Sequence, residues 1–177
     1  MAFDAYLFFP NGSATSNVPP PKGESLIEAG AISLGDSWSF SLENKLDISS
    51  VTTGTGSGKA EFQEFTIKKQ VDSASPTLFL ACGAGAMYNN VELVLRKATG
   101  ATTAGTTQIF MQWTFLMMAV EKIEWAYGDP SPEETVTFKF GACKVQYWQQ
   151  SPTSAQLVQT PEQTWSQVKA SNTFTVS

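Results

Sequence analysis

The chain has 177 residues, 42% of them hydrophobic and only 15% charged, with a formal net charge of −5 and no histidine. Its eleven basic residues are scattered, whereas a nucleic-acid-binding surface needs clustered Lys and Arg, so we expect no nucleic acid partner. A chain of this length can bury a core without metals or disulfides, and we expect one domain over residues 1–177. The low charge indicates a surface that is partly covered by neighbouring molecules.

The N-terminal residues 2–9 predict a first strand with bulky side chains on both faces. This apolar run has no basic segment before it and stops at Pro10, so it does not resemble a secretory signal. No apolar run is long enough to span a membrane, and we expect no membrane insertion. The sequence therefore predicts a protein that folds in the cytoplasm and needs no cleaved signal peptide. Residues 10–24 follow as a loop that contains the rigid run Pro19-Pro20-Pro21.

A long strand is predicted from Ile32 onward, because apolar and small polar residues alternate there with a period of two. One face carries Ile32, Leu34, Trp38, Phe40 and Leu42. The other face carries Ser33, Gly35, Ser37, Ser39 and Ser41. Asp36 interrupts the apolar face and indicates a bulge.

Residues 44–58 predict a long loop that ends in the glycine-rich run Thr53-Gly54-Thr55-Gly56-Ser57-Gly58. This run resembles a phosphate-binding loop, but a P-loop needs Gly, four residues and then Gly-Lys-Ser/Thr, and here Ala60 follows Lys59. The run also lies between strands and opens no helix, so we expect no bound nucleotide. A loop of this composition is either flexible or becomes ordered when it meets a partner. A strand over residues 60–70 follows it.

One short helix is predicted over residues 75–83. Ser75 is the N-cap candidate, and Pro76 would occupy the first helical position. The apolar side of this helix consists of Leu78, Phe79 and Cys82. Gly83 and Gly85 would end it after about two to three turns.

Four further strands are predicted over residues 90–97, 107–127, 134–149 and 165–176. The inward residues of the first of these are Val91, Leu93 and Leu95. The second is apolar on both faces over residues 115–120, so it needs cover on both sides. In the third, the side-chain alternation shifts near Gly141, which indicates a bulge, and a polar segment over residues 151–163 precedes the last strand. The fold class is therefore mainly β, a small antiparallel β-barrel or two-sheet sandwich with one short helix.

The chemically active residue types do not combine into a recognisable active site. Without histidine there is no His general base or His-based triad, and no serine stands in a nucleophile motif. Cys82 and Cys143 cannot form a four-cysteine zinc site and are interpreted as two buried thiols, with one disulfide as the alternative. Glu133 and Glu134 adjoin a proline-rich turn and are interpreted as solvated loop residues. We expect no enzyme activity, no catalytic residue, no metal and no cofactor.

Several segments together resemble the haemolysin-coregulated protein (Hcp) family, the tube subunit of bacterial type VI secretion systems. Met1-Ala2-Phe3-Asp4 is similar to the family start, Lys22-Gly23-Glu24-Ser25 to the motif after the first strand, and Ser37-Trp38-Ser39 to the family's Ser-Trp strand. The strongest block, residues 58–98, contains Phe65-Thr66-Ile67-Lys68-Lys69, Val71-Asp72, Ser75-Pro76, Leu80-Ala81-Cys82 and Val91-Glu92-Leu93-Val94-Leu95-Arg96-Lys97-Ala98. The loop over residues 10–21 and the region 149–163 are longer than the family pattern.

The resemblance implies a hexameric ring of β-barrel subunits, with rings stacked into a tube that has a wide lumen. A contractile sheath would drive this tube, tipped by a spike protein, into a target cell, and the lumen would carry effector proteins. The implied partners are further copies of the chain, effectors, spike and sheath, and the implied route is from the bacterial cytoplasm through the type VI apparatus. On strand parity, the residues expected to face the lumen and its cargo are Ser33, Ser37, Ser39 and Ser41. The residues expected to form a ring-stacking loop are Thr53, Gly54, Thr55, Gly56 and Ser57.

Two alternatives are open at this point. One is a tube protein of a phage-like contractile tail, which shares the architecture by analogy. The other, of a different class, is a carbohydrate-binding β-sandwich that uses exposed tryptophans, although tryptophan at strand spacing favours a place in a core or an interface. The tryptophans concerned are Trp113, Trp125, Trp148 and Trp165.

Overall fold

The structure is a computed structural model. It describes residues 4–21, 26–27, 47–56, 59–98, 107–128, 132–151, 153 and 157–177. The strand predicted from Ile32, with the polar face of Ser33, Ser37, Ser39 and Ser41, lies outside the described residues.

The described part of the chain is mostly β-strand, with one helix, as the sequence predicts. The elements in chain order are β1 (Asp4–Phe8), β2 (Leu26–Ile27), β3 (Asp47–Gly56), β4 (Lys59–Gln70), α1 (Ser75–Ala84), β5 (Met87–Tyr88), β6 (Val91–Ala98), β7 (Thr107–Leu116), β8 (Met118–Ala126), β9 (Glu133–Lys139), β10 (Ala142–Gln150), β11 (Leu157–Gln159) and β12 (Gln163–Ser166).

These strands form two sheets that pack on each other. A seven-stranded sheet has the order β11-β10-β7-β6-β1-β2, with β12 also paired to β10, and a five-stranded sheet has the order β3-β4-β9-β8-β5. The described ladders are antiparallel except for the pair β1–β2, where Leu7 is aligned with Leu26 in a parallel register. The mainly antiparallel two-sheet fold predicted from the sequence is confirmed, and the parallel pair was not foreseen.

The two sheets are joined by a bent ribbon, which consists of the strand pair β7–β10 in one sheet and the strand pair β8–β9 in the other. The segment predicted as one strand over residues 107–127 is divided at Met117, whose φ is +53°, so that β7 belongs to the seven-stranded sheet and β8 to the five-stranded one. The chain turns back through β9 and β10, and the shift of alternation near Gly141 is this second change of sheet instead of a bulge within one strand. The two bends lie side by side, because the backbone N–H of Gly141 donates to the carbonyl of Leu116 at 2.9 Å. A Cβ at Gly141 would lie 3.3 Å from the Cβ of Met117, which is tighter than ordinary van der Waals contact and would require the neighbouring atoms to shift by a few tenths of an ångström.

The core lies between the sheets and is rich in aromatic rings. Phe65 stands at its centre, with its ring stacked on Phe115 at 5.3 Å and on Phe138 at 5.7 Å between centroids. The predicted inward residues of β6 are all buried, namely Val91, Leu93 and Leu95. Burial of each such side chain stabilises the fold by about 1.5–3 kcal/mol. The alternation seen in the sequence therefore locates the core correctly.

The seven-stranded sheet also buries apolar side chains on its other face. Val94, Ile109 and Trp148 form a second cluster there, against which Leu157 packs. In the five-stranded sheet the corresponding face is charged, with an exposed ion pair between Lys122 Nζ and Glu124 Oε1 at 2.8 Å. A second exposed pair on that side joins Lys139 to Glu121.

Helix α1 covers one side of the five-stranded sheet and is one residue longer than predicted. Its N-cap is Ala74, so Ser75 is the first helical residue and not the cap. The reason is that the Ser75 hydroxyl is occupied: it accepts from the backbone N–H of Asp72 at 3.1 Å instead of capping the next turn. Gly85 ends the helix in the left-handed conformation, with φ +60°, which glycine adopts without steric cost.

The sequence analysis assigned the bounds of three strands wrongly. Residues 47–56, predicted within a loop, form strand β3, because they pair with β4 as a hairpin whose last pair is Gly56 with Lys59. The polar segment 151–163 contains strand β11, which pairs with β10. The last strand, predicted over 165–176, is the shorter β12, and it ends where the chain leaves the β10 ladder after Ser166.

Candidate functional site: an apolar groove beside helix α1

An open groove lies between the start of helix α1, the loop after β4 and the end of β8. Its volume is about 500 Å³. The residues that line it are Val71, Asp72, Ser75, Pro76, Phe79, Trp125, Tyr127 and Pro132. Most of this lining is aromatic or aliphatic, so the groove offers contact to apolar side chains.

Helix α1 has an unusual composition for an element at the surface, since none of its ten residues is charged. Leu78 and Ala81 are buried against the sheet, as an inward helical face requires. Phe79 and Leu80 are nevertheless 60% and 51% exposed. A helix that is apolar all round is normally covered on every side. The outer face of α1 therefore has the composition of a contact surface.

A buried lysine lies directly beneath the groove. The side chain of Lys69 is 0% exposed, and a charge in such a place requires partners. Its ammonium group donates to Asp72 Oδ1 at 2.7 Å, to Ser75 Oγ at 3.1 Å and to the carbonyl of Gln70 at 3.1 Å. These three bonds use all three protons of the ammonium group.

Glu134 completes this network from the neighbouring strand. It is aligned with Lys69 on β4 and with Trp125 on β8, so the three side chains stand in one row across the sheet. Its Oε2 accepts from Trp125 Nε1 at 2.7 Å, and its Oε1 lies 3.1 Å from Lys69 Nζ. Within the described residues Oε1 accepts no hydrogen bond, because the protons of Lys69 point to other acceptors. The attraction of Lys69 and Glu134 is thus electrostatic and not a directed hydrogen bond.

The interpretation of Glu134 as a solvated loop residue was wrong. Glu133 is exposed, but Glu134 is 0% exposed and belongs to strand β9. The signal that could have found it is the alternation of the strand, since Glu134 shares the inward parity of Val136 and Phe138. The proline-rich turn before it concealed this parity.

The network fixes the walls of the groove. Asp72 Oδ1 accepts from the backbone N–H of Ala74 at 2.9 Å, which holds the loop that leads into α1. The indole of Trp125, bonded to Glu134, packs on Phe79 with 5.8 Å between ring centroids. Because the polar groups beneath the groove bond to one another, its surface presents apolar groups and few free donors or acceptors. Such a surface offers contact to apolar groups.

The cysteines take no part in the groove. Both are free thiols, as the preferred interpretation of the sequence has it, but only Cys143 is buried, whereas Cys82 is half-buried. Burial raises the pKa of the Cys143 thiol to about 11, so it stays protonated at neutral pH and is not a nucleophile. Within the described ranges no group of three or more His, Cys, Asp or Glu is placed to hold a metal ion.

The four tryptophans that the structure describes are mostly engaged in packing. Trp113 stacks on Phe115 with an interplanar angle of 9°, and Trp148 belongs to the second apolar cluster. Trp165 is half-buried on β12. Trp125 is 38% exposed and lies in the groove wall, held by Glu134. This distribution does not give the row of free rings that sugar stacking uses.

None of the residues predicted to touch a lumen or another ring is among the residues that line the groove. Ser33, Ser37, Ser39 and Ser41 fall outside the described residues, as does Ser57. Thr53, Gly54, Thr55 and Gly56 do not form a loop but the end of strand β3. Their pairing with β4 explains the difference: the small residues were taken as a sign of flexibility, and the ladder holds them extended. The glycine-rich run, expected between strands, thus belongs to a strand over its first four residues, and Ser57 and Gly58 lie outside the described residues.

The groove itself could not be predicted from the sequence. Phe79 was assigned to the inward side of the helix, and Trp125 was placed with core or interface residues. Lys69 was named only within the block that resembles the family. In the part of the chain that the structure describes, no helix is both long and apolar enough to cross a bilayer.

Comparison with known proteins identifies relatives. Residues 22–147, more than half of the chain, match the family model described as "Type VI secretion system effector, Hcp". Hcp1 from Salmonella typhimurium is similar at 18% identity with a TM-score of 0.58, over 96% of this chain and 97% of that one. A protein described as a type six secretion system protein gives 23% identity and a TM-score of 0.63, over 96% and 99% of the two chains. A type VI secretion system effector from Yersinia pestis is similar at 16% identity with a TM-score of 0.53, over 92% of this chain and 99% of that one. No curated protein gave a significant match.

Proposed function

Because the chain belongs to the Hcp family of type VI secretion systems, we propose that it is a structural tube subunit whose hexameric rings stack into the inner tube of that apparatus. The observation that carries the proposal is the family match over residues 22–147, which spans helix α1 and both bends of the ribbon. In this proposal the chain is one domain, has no catalytic role and requires no cofactor.

The surface of α1 supports assembly with other copies. A closed ring brings one side of each subunit against the opposite side of the next, so each subunit needs two apolar surfaces that are uncovered in isolation. Phe79 and Leu80 on an uncharged helix are part of one such surface. Neighbouring subunits would remove this area from water.

The lumen is proposed to carry effector proteins along the polar face of Ser33, Ser37, Ser39 and Ser41. Small hydroxyl side chains bind diverse surfaces weakly, which suits transient cargo. The change Ser37→Arg should leave rings intact and reduce the amount of effector that copurifies, with Ser37→Thr as the control. Loss of rings in Ser37→Arg would instead place Ser37 between subunits and contradict a lumen role.

Stacking is proposed to use Thr53, Gly54, Thr55 and Gly56 at the end of strand β3 in the β3–β4 hairpin, together with Ser57. A hairpin end that projects from a sheet can reach a neighbouring ring. Thr55→Glu should preserve single rings and shorten the stacks seen in negative-stain electron micrographs, whereas Thr55→Val should leave them unchanged. Stacks of full length in Thr55→Glu would remove the hairpin from the stacking contact.

The wider proposal includes the partners and route of a tube subunit: a sheath, a spike, effectors, and passage from the bacterial cytoplasm without a cleaved signal peptide.

The primary test is the mass of the assembly. Native mass spectrometry at micromolar concentration should give six copies, and micrographs should show rings. A protein that stays monomeric under these conditions would refute the proposal.

A further inference from the structure

Two apolar patches remain exposed at different places of the subunit. The first is the groove patch, which consists of Val71, Phe79, Leu80, Trp125 and Tyr127. The second is a smaller ridge formed by Tyr147 on β10, 42% exposed, and Val158 on β11, 59% exposed. Val158 is aligned with Gln149, two positions from Tyr147 on the same strand, so the two side chains project from one face of the sheet.

The patches stand at opposite ends of the bent ribbon. From the bend at Met117, β8 runs outward to Trp125 and the groove. From the adjacent bend at Gly141, β10 runs in the other sheet to Tyr147 and the ridge. Each arm has nine residues, and at about 3.3 Å per residue it extends about 30 Å. One subunit thus carries two apolar surfaces, the groove patch on one arm of the ribbon and the ridge on the other.

The groove patch has the area of one side of a stable interface. Phe79, Trp125 and Tyr127 are 60%, 38% and 87% exposed. With about 200 Å² per aromatic side chain, these rings alone leave about 400 Å² in water. A stable interface buries about 800 Å² per partner, of which a little over half is apolar. The groove patch therefore supplies nearly all the apolar area that one partner contributes.

The ridge is suited to this groove in charge. Strand β11 and the end of β10, over residues 147–150, contain no charged residue. In the groove, the carboxylate of Asp72 is 4% exposed and paired with Lys69. Contact of the two surfaces would bury no unpaired charge, which is the costly event in most associations.

We infer that the ridge of Tyr147 and Val158 on one copy docks in the groove of the next copy. The contact is heterologous, because different surfaces meet, and it repeats around the ring. It rests on the proposed function for the closure into a ring, and it adds the residues that join neighbouring subunits. The network of Lys69, Asp72 and Glu134 holds the groove in shape before the partner arrives.

The test uses the full chain in two variants, one changed in the groove and the other in the ridge. Tyr127→Asp should destroy the groove and Tyr147→Asp the ridge, and each variant should remain monomeric at concentrations at least about tenfold above those at which the parent forms rings. An equimolar mixture of the two should form dimers and no larger species, since only the intact groove of one variant can hold the intact ridge of the other. Native mass spectrometry measures these species directly.

The control is Val168→Asp, at an exposed position beside the bend at Gly141 and away from both patches. It should form rings like the parent, and circular dichroism should show that all three variants are folded. If either tyrosine variant misfolds, Phe79→Ala and Val158→Ala replace the pair at the same two ends.

The outcomes separate this inference from the proposed function. Rings in both tyrosine variants would overturn the docking while leaving the tube subunit intact. Monomers that do not combine into dimers on mixing would overturn it too, since the groove and the ridge would then have other partners. A parent chain that is itself monomeric would refute the proposed function instead.

Discussion

The two sheets share one core but differ on the faces turned away from it. The seven-stranded sheet buries apolar side chains on both faces, with Leu93 toward the core and Val94 and Trp148 on the other side. The five-stranded sheet is amphipathic, and its outer face carries exposed ion pairs such as that of Lys122 and Glu124. A sheet covered on both faces is an interior element, whereas an amphipathic one forms an outer wall. The difference shows that strand pattern alone does not reveal which sheet faces water.

The largest expected effect tests whether the second face of the seven-stranded sheet is truly core. Trp148→Ala should lower the free energy of unfolding by about 4 kcal/mol, because it removes a buried ring from the cluster with Val94 and Ile109. Lys139→Ala, on the outer face of the five-stranded sheet, should change it by less than about 1 kcal/mol. Urea denaturation of both variants measures this. Equal small effects would remove the distinction between the two sheets.

The next effect concerns the buried ion network on the inner side of the five-stranded sheet. Lys69→Met should cost about 3 kcal/mol, since it leaves the carboxylates of Asp72 and Glu134 buried without their cation. Lys122→Met, which breaks the exposed pair on the outer side of the same sheet, is the matched control and should cost less than about 1 kcal/mol. Chemical denaturation of the two variants at pH 7 compares them. A small effect of Lys69→Met would show that the network tolerates loss of its charge.

A smaller effect is expected at the bend that joins the sheets. Gly141→Ala should cost about 1 kcal/mol, because the new methyl group would meet Val168, Met117 and Val176 at 3.2–3.3 Å. At Gly83 in helix α1, where nothing lies within 4 Å, the same change should be neutral or stabilising. Thermal unfolding of the two variants compares them. An unchanged melting temperature for Gly141→Ala would show that the bends can separate.

The smallest effect is a pH dependence in the seven-stranded sheet. Desolvation by burial raises the pKa of Glu92, opposed by the charge of Lys144, and Gln112 Nε2 donates to its carboxylate at 3.1 Å. Since the folded state then binds the proton more tightly than the unfolded state, this group lowers stability as the pH rises from its ordinary pKa through the raised one. Glu92→Gln, which keeps an acceptor for Gln112, should be more stable than the parent at pH 7. The advantage should disappear near pH 3, where both states are protonated, and a constant difference across this range would contradict the argument.

Much of the fold could be predicted because its strands have simple patterns. The inward residues of β6 and the extent of β4 follow from alternation, and helix α1 follows from Ser75, Pro76 and the glycines near its end. In the five-stranded sheet, β9 was easy to predict, since Val136 and Phe138 alternate with polar residues. The change of sheet at Met117 was not foreseen, because a residue with positive φ in an apolar run leaves no trace in composition.

The candidate site could not be predicted for a different physical reason. Lys69 and Glu134 are 65 positions apart in the sequence and meet only through the register of β4 and β9. Their charges suggested solvated residues, and burial depends on the helix that covers them. Thr53 to Gly56 illustrate the opposite error, since small residues suggested a loop and the ladder with β4 holds them in a strand.

The bent ribbon has a mechanical consequence. Strands β7 and β10 continue directly into β8 and β9, so the two sheets are joined by covalent backbone at two adjacent points. The sheets cannot slide apart by losing side-chain contacts alone, and forced separation would have to break both ladders together. A thrust along the ribbon would therefore travel from one end of the subunit to the other through continuous main chain.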